Sequence, residues 1–376
     1  MASGARSLSE CFSEIVDPRS EQARLHDLVD ILSLAVLAVI AGAEGWEDVE
    51  EFGKQKHAWL KKFLRLPHGI PSHDTISRVF RLIKPQAFQA GFTSWIASLH
   101  EDLGLHLIAV DGKTLRRSHD RTTMKSALHA VCAWSVANHV VLGQQSVDEK
   151  SNEITAIPEL LKLLDVKGAL VTIDAMGCQK EIAAQIVKEE GDYVLAVKEN
   201  QPTLHAALRA FFDQQHETEF AAGDCRRRQT REKGHGRVEQ RYYYHAPLPE
   251  GLRSFAVDWP GLATIGQVVS ITQRDGKECS EVRYYISSLR PSVKRFAAAV
   301  RGHWGIENSL HWTLDVTFDE DRSRIRKDYG PDNFALLRRF ALSLIKQDTS
   351  PGSVKKKRKR AAWNNEALAT IAKLTT

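Results

Sequence analysis

Two apolar stretches that each end in an aspartate constrain this chain more than any other feature of its sequence. "LIAVD" ends in Asp111 and "LVTID" ends in Asp174, and both stretches have the composition of buried strands. If these strands are neighbours in one sheet, their carboxylates meet at the same edge. Crowded carboxylates repel one another unless a cation neutralises them. The two stretches therefore predict a site for a divalent metal ion, and oxygen ligands favour Mg²⁺ or Mn²⁺ over zinc.

A third acid is expected from a helix near residues 293–314. Its apolar stripe includes Phe296 and Val300 and leads to Glu307. A charge on such a stripe needs a partner, so Glu307 either pairs with a basic residue or faces the metal. A zinc site from His303, Glu307 and His311 is an alternative, although the HExxH spacing is missing. The other acids nearby, Asp315, Asp319, Glu320 and Asp321, are predicted to pair with Arg322, Arg324 and Arg326.

Positive charge is concentrated in three patches. Lys113, Arg116 and Arg117 follow the first aspartate, "CRRRQTREKGHGR" covers 225–237, and "KKKRKR" covers 355–360. The last 26 residues carry a net charge of +6, whereas the rest of the chain is close to neutral. Such patches suit a polyanion, although each is also compatible with an ordinary solvated surface. A carboxylate that holds metal beside cations that hold phosphate is the arrangement expected of a phosphodiester site.

The spacing of apolar residues changes along the chain, from a helical pattern to a pattern of alternating strands and helices. Residues 20–100 have helical spacing, and "GIPSHDTISRVF" predicts a turn followed by a basic helix, which is either a DNA-reading helix pair or a corner of a helical bundle. Between 105 and 198 the predicted order is β-β-β-α-β-α-β. The predicted domains are a helical N-terminal domain (1–100), a first core part (101–204), a β-rich insertion (205–290), a second core part (291–350) and a disordered basic tail (351–376).

Composition limits the class of protein. The five cysteines form no CxxC pair, which argues against a zinc knuckle and a disulfide framework. The N-terminus has no apolar signal-peptide core, and the apolar run 28–43 is short for a membrane span and contains Asp30. We therefore expect a reduced cytoplasmic protein without a membrane segment.

Several separated motifs resemble the H-repeat-associated insertion-sequence transposases, which are DDE transposases with an RNase H-like core. The motifs are "IAVDGKTLRRS", "SNEITAIPELL", "VTIDAMGCQKEIA", "YVLAVKENQ" and "HWGIENSLHWTLDVTFDEDRSRIR", and "GAEGWEDVEEFGKQKHAWL" with "GIPSHDTISRVF" resembles the helical domain associated with that family. The resemblance covers roughly residues 15–347. It implies an α/β fold with an RNase H-like mixed sheet flanked by helices, a helical N-terminal domain and a β-rich insertion before the last catalytic helix.

The resemblance also implies an activity and a site. Asp111, Asp174 and Glu307 would be catalytic and would hold two Mg²⁺ or Mn²⁺ ions for cleavage at transposon ends and strand transfer to target DNA. The partners would be DNA and a second copy of the chain assembled on it, at the nucleoid. The alternatives are an inactive DNA-binding relic or repressor and a metal-dependent nuclease without strand transfer. The predicted DNA contacts are Lys113, Arg116, Arg117, Lys198, Asn200, His303, Asn308, Arg322 and Arg324.

One motif of related transposases is not matched. Hairpin-forming relatives carry Tyr, Arg, Glu and Lys at fixed spacing along the third-acid helix. With Glu307 as the anchor, those three other positions hold Val300, His303 and Leu314. The corresponding DNA contacts are therefore not carried over, except for His303 in place of the arginine.

Overall fold

A computed structural model describes residues 7–99, 107–119, 126–147, 152–221, 224–234 and 236–374, with side chains omitted for 96–99. The chain forms two compact units, each built from separate segments. The first unit contains residues 1–104, 112–150 and 307–376, and the second contains 105–111 and 151–306. These units do not coincide with the linear domains expected from the sequence, because the N-terminal helices share a unit with later segments of the chain.

The first unit is mainly helical. Two buried helices, α2 and α12, pack against each other, and α12 also packs against β3. Asp27 caps α2 by accepting from the backbone N–H of Val29 at 2.8 Å, and α2 ends before Gly42, whose φ of +126° is unfavourable for other residues. The elements are α1 Leu8–Phe12, α2 Leu28–Ala41, α3 Trp46–Leu60, α4 His73–Leu82, α5 Pro85–Leu99, β2 His129–Ser135, β3 Val140–Ser146, α11 Trp312–Phe318, α12 Gly330–Gln347, α13 Val354–Trp363 and α14 Asn365–Ile371.

The second unit is built on a mixed sheet with the strand order β1-β4-β5-β9-β8-β7-β6. The strands β1, β4 and β5 are parallel, and the others run antiparallel to their neighbours. The elements are β1 Leu107–Thr114, α6 Glu153–Leu161, β4 Leu170–Ile173, α7 Lys180–Lys188, β5 Asp192–Val197, α8 Pro202–Glu217, β6 Arg226–Gly234, β7 Arg237–Pro247, α9 Phe255–Asp258, β8 Thr264–Arg274, β9 Lys277–Ser287 and α10 Val293–Ile306. The last residues of β1, 112–114, belong to the first unit, where the strand order is β3-β2-β1. The predicted mixed α/β class is confirmed.

Helix α10 is anchored on the sheet of the second unit by Phe296. Its buried ring stacks on His245 at 4.8 Å and meets the edge of Tyr285 at 5.5 Å. Gly266 lies beneath the ring, and a Cβ atom there would be only 2.3 Å from the ring carbon Cζ. Glycine at this position therefore permits the close packing that fixes the helix leading towards Glu307.

The tail is folded, in contrast to the predicted disorder. Ser353 caps α13 by accepting from the backbone N–H of Lys356, and Asn364 caps α14 in the same way through Ala367. Lys357 and Arg358 of the basic run are buried. The composition of the run predicted disorder, but lysine and arginine have high helix propensity and their stems can be buried if the charged groups find partners.

Among the described residues, no helix alone is both long and apolar enough to cross a membrane; α2 and α3 meet that test only as a pair, and the chain bends by 95° between them.

Candidate active site

The register of β1 and β4 brings the first two predicted acids together. These parallel strands pair from Leu107 with Leu170 up to Val110 with Ile173. The next residue of β1 is Asp111, and the residue that directly follows β4 is Asp174. Adjacent strands lie about 4.8 Å apart, and equivalent residues of parallel neighbours project to the same side. Strand β1 does not end at Asp111, as the sequence predicted, but continues to Thr114.

The carboxylate of Asp174 is held by the loop that follows it. Its Oδ1 accepts from the backbone N–H of Met176 at 3.1 Å and of Gly177 at 3.3 Å. Removal from water raises the pKa of Asp174; the Gly177 N–H opposes this rise, and the charge of Glu153 adds to it. A Cβ at position 177 would lie 2.3 Å from Cγ2 of Ile173, so a glycine allows this tight loop.

A small cavity of about 110 Å³ in the second unit adjoins Asp174. It is lined partly by Lys198 and His303, so three of the predicted site residues share it. Nδ1 of His303 lies 3.1 Å from Oγ1 of Thr172 on β4, which fixes the imidazole against the sheet. Trp304 also lines the cavity, and the guanidinium of Arg283 lies 4.1 Å from the centre of its ring. The cavity thus combines an acid, cations and an aromatic surface.

Two predicted DNA contacts follow β5 at the same end of the sheet. Lys198 directly follows the strand and is exposed. Burial raises the pKa of Asp174, and the positive charge of Lys198 offsets part of this rise. Asn200 donates from Nδ2 to the carbonyl oxygen of Ala175 at 2.7 Å. Asn200 therefore supports the loop after Asp174, a role that its position in the sequence did not suggest.

Glu307 opens a π-helical turn in the first unit. The turn spans Glu307–His311 and separates α10 from α11. Oε2 of Glu307 lies 3.7 Å from Nδ1 of the buried His311, while the Glu307 side chain itself is 57% exposed. Helix α10 keeps α-helical spacing up to Ile306, and the wider turn begins only at Glu307. Such turns are rare and often occur at functional sites. The zinc alternative with His303, Glu307 and His311 stays a prediction.

Asn308 lies within this turn. It is exposed, and its backbone carbonyl accepts from Oγ1 of Thr313 at 3.3 Å. Its side chain is thus on the surface of the first unit next to Glu307 in the chain.

Lys113 was predicted to contact DNA, but in the structure it forms an ion pair with Asp315. Its ammonium is buried, and Nζ lies 2.6 Å from both carboxylate oxygens of Asp315, all within the first unit. The prediction paired Asp315 with an arginine of 322–326, but this lysine takes that place. A phosphate would have to compete with a buried ion pair for the Lys113 charge.

The other predicted acid–base pairs are rearranged as well. Arg116 pairs with Asp321 at 3.4 Å, and Asp319 pairs with Arg322 at 3.5 Å as expected. Glu320 forms a fully buried pair with Arg339 at 2.8 Å. Arg326 contacts the backbone oxygen of Arg117 at 3.2 Å. Buried partners far away in sequence therefore replace some of the local surface pairs that charge spacing had indicated.

A groove of about 1550 Å³ in the first unit contains two further predicted DNA contacts. The start of α3, one side of α4 and the segment 319–328 line it, with Arg322 and Arg324 among its residues. Arg324 is exposed and forms no ion pair within the part of the chain that the structure describes. Arg81 of α4 also lines the groove and pairs with Asp328 at 2.7 Å. The basic helix after "GIPSHDT" thus borders the same groove as these arginines.

Comparison with known proteins places these features in a family. A family model described as "Transposase DDE domain" matches residues 103–344, and one described as "DDE_Tnp_1-associated" matches residues 9–96. "Putative transposase YncI" of Escherichia coli O157:H7 is 43% identical over 98% of this chain and 96% of its own length. "H repeat-associated putative transposase YhhI" of Escherichia coli K12 is 40% identical over 97% of both chains. The shorter "Inactive transposase YbfQ" of the same strain is 47% identical over 20% of this chain and 88% of its own length.

Proposed function

Because the chain belongs to the transposase family with the DDE domain, we propose that it is an active transposase that cleaves DNA at transposon ends and joins them to target DNA. The observation that carries this proposal is the side-by-side position of Asp111 and Asp174 after the last registered pair of β1 and β4. Glu307, at the start of the π-helical turn, is the proposed third acid.

The donor set fits a divalent ion, and the DDE domain implies that a divalent metal is used. Asp111 and Asp174 offer carboxylate oxygens from adjacent strands, and the two carboxylates would repel each other without a cation. Oxygen donors of this kind favour Mg²⁺ or Mn²⁺, and we propose that two ions bind. When bound, these ions would lower the pKa of a water molecule and stabilise charge on the phosphate.

The chain's own residues would position the DNA around these acids. Lys198 and His303 line the cavity beside Asp174 and would hold phosphate oxygens. The Thr172 contact fixes the ring of His303, so less side-chain ordering is needed when this residue contacts the DNA. Asn200 and the N–H groups of Met176 and Gly177 keep the loop and the Asp174 carboxylate in place. We further propose that two copies assemble on DNA, on the chromosome in the cytoplasm.

The test is cleavage and joining of a DNA substrate that carries the inverted repeats flanking the gene. We expect purified protein to cut in Mg²⁺ or Mn²⁺ and to be inactive with chelator. Asp111→Asn, Asp174→Asn and Glu307→Gln should each abolish both steps, because each keeps its size but loses the charge that holds metal. Combining them should cost little more, since the three act as one unit.

DNA binding should survive in all three variants, because the cations that contact phosphate remain. Asp319→Asn is the matched control, because it removes a nearby carboxylate that pairs with Arg322, and it should cut normally. Cleavage without joining would indicate a plain nuclease. Binding without cleavage by the wild-type protein would instead indicate an inactive relic. Normal cleavage by Glu307→Gln would show that another acid completes the site.

A further inference from the structure

The basic edge strand β6 has no part in the function described so far. Its nine residues, "RRRQTREKG", include five cations and one acid, and all but Thr230 are exposed. Among the described residues, β6 is the last strand of the sheet and its one strand partner is β7. An edge strand presents N–H and C=O groups that no neighbouring strand occupies.

Two of the five cations contact other groups of the protein, and three form no ion pair with described residues. Arg226 donates to the carbonyl oxygen of Pro291 at 3.0 Å, and the guanidinium of Arg227 lies 5.1 Å from the ring centre of Phe220. Within the described chain, Arg228, Arg231 and Lys233 form no ion pair. Since side chains alternate along a strand, Arg227, Arg231 and Lys233 share one face.

The only acid of β6 is neutralised on the opposite face. Glu232 binds Arg301 of α10 through two contacts, at 2.8 and 3.0 Å, and also lies 3.4 Å from Arg241 of β7. This network braces the outer sheet against α10. Because the Glu232 carboxylate pairs with Arg301 and Arg241 on the opposite face, it does not neutralise the positive charge of Arg231 and Lys233.

Aromatic side chains lie beside these cations on the same face. Tyr242 of β7 is registered with Gln229, between Arg227 and Arg231, and Tyr244 is registered with Arg227. Tyr244 stacks on Phe220 with ring centres 4.9 Å apart and planes inclined by only 2°. Cations interleaved with aromatic groups on an open surface suit a nucleic acid.

We propose that β6 binds the phosphate backbone of duplex DNA through Arg231 and Lys233, with unpaired backbone N–H groups of the edge as further donors. This inference rests on the proposed function and deepens it by assigning a DNA-contacting surface outside the acid site. The contacts are to phosphate, so they should increase affinity without reading sequence.

The test is the salt dependence of DNA binding by the full chain, measured by fluorescence anisotropy with chelator present so that no cleavage occurs. Each phosphate contact adds roughly 0.9 to the slope of log K against log salt. Arg231→Ala with Lys233→Ala should therefore lower the slope by about 1.8, equally for transposon-end and random DNA. Arg231→Lys should keep the slope.

The matched control, Lys162→Ala with Lys188→Ala, removes two exposed cations from the α6–α7 side of the same unit and should leave the slope within error. An equal loss in this control would overturn the proposal, because net charge alone would then explain the effect. An unchanged slope in the β6 variant, with aggregation at rising concentration, would also overturn it and assign the cations to protection of the edge. Neither result depends on whether the protein cleaves DNA, so failure of the proposed function remains distinguishable.

Discussion

The ammonium group of Lys113 is buried and has its close contacts with one carboxylate, that of Asp315, at 2.6 Å. Asp315→Asn would leave this lysine buried without its counter-charge. We expect a loss of roughly 1–3 kcal/mol in the free energy of unfolding. The loss should fall below that of a fully buried pair because the Asp315 side chain is 33% exposed. Urea denaturation of the variant and the wild-type protein measures it.

The control for this prediction is Asp319→Asn. Asp319 has a φ of +51°, which asparagine tolerates, and its partner Arg322 is largely exposed. The free energy of unfolding should therefore change by less than about 0.5 kcal/mol. Comparable small changes in both variants would mean that the Lys113 pair contributes no stability.

His245 predicts a pH dependence of stability. The residue is fully buried, and its burial lowers the pKa to about 4 from an ordinary 6.5. The folded state thus binds a proton more weakly than the unfolded state. The stability contributed by neutral His245 is complete above pH 6.5 and is lost as the pH falls towards 4. The full loss is on the order of 3 kcal/mol.

His245→Gln isolates this contribution. Glutamine cannot titrate, so the difference in unfolding free energy between wild type and variant should shrink between pH 7.5 and pH 4.5. Urea titrations at several pH values measure it. A constant difference across this range would contradict the assignment to His245.

At the scale of elements, helix α13 stabilises the first unit. Arg358 donates to the carbonyl oxygens of Val39 and Thr317, and its guanidinium lies 4.0 Å from the ring centre of Phe318. Arg358→Ala should lower the free energy of unfolding by roughly 2–3 kcal/mol, because two carbonyl groups lose a charged donor. Thermal or urea denaturation measures this loss.

Removal of the exposed cations Lys355, Lys356 and Lys359 should leave stability nearly unchanged and reduce only the salt slope of DNA binding. If the triple variant unfolds as readily as Arg358→Ala, the helix as a whole, rather than the buried arginine, carries the effect.

Local sequence explains part of these elements. The sequence offered Ser72 or Asp74 as the cap of α4, because a short polar side chain precedes an amphipathic helical pattern, and the structure shows that Ser72 is the cap. The extension of β1 beyond Asp111 was not readable, since "DGKT" has no apolar alternation. The π-helical turn at Glu307 was also missed, because a fixed helical period cannot reveal an added residue in one turn.

At the scale of the whole molecule, the order of elements was predictable but some of their pairings were not. Strand patterns in the sequence predicted the two strands that lead to Asp111 and Asp174. That these strands are neighbours was only a condition of the metal-site prediction, and the structure pairs them in parallel. The same patterns treated residues 205–290 as an insertion, yet β9 pairs with β5 through Ile286 and Leu195 and continues the sheet. The partners of Lys113 and Arg358 are likewise far away in sequence. Periodicity carries no information on such distant contacts.

The last prediction tests metal binding without relying on cleavage. A ligand that binds only the folded state stabilises it by RT ln(1 + [L]/Kd), or about 2.7 kcal/mol at one hundred times Kd. We therefore expect Mg²⁺ or Mn²⁺ to raise the Tm of the wild-type protein above its value in NaCl of equal ionic strength. Asp111→Asn, Asp174→Asn and Glu307→Gln should lose this rise, and Asp319→Asn should keep it. A rise of equal size in all variants would place the ions elsewhere, and no rise in the wild type would contradict the proposed fit of the carboxylates to a divalent ion.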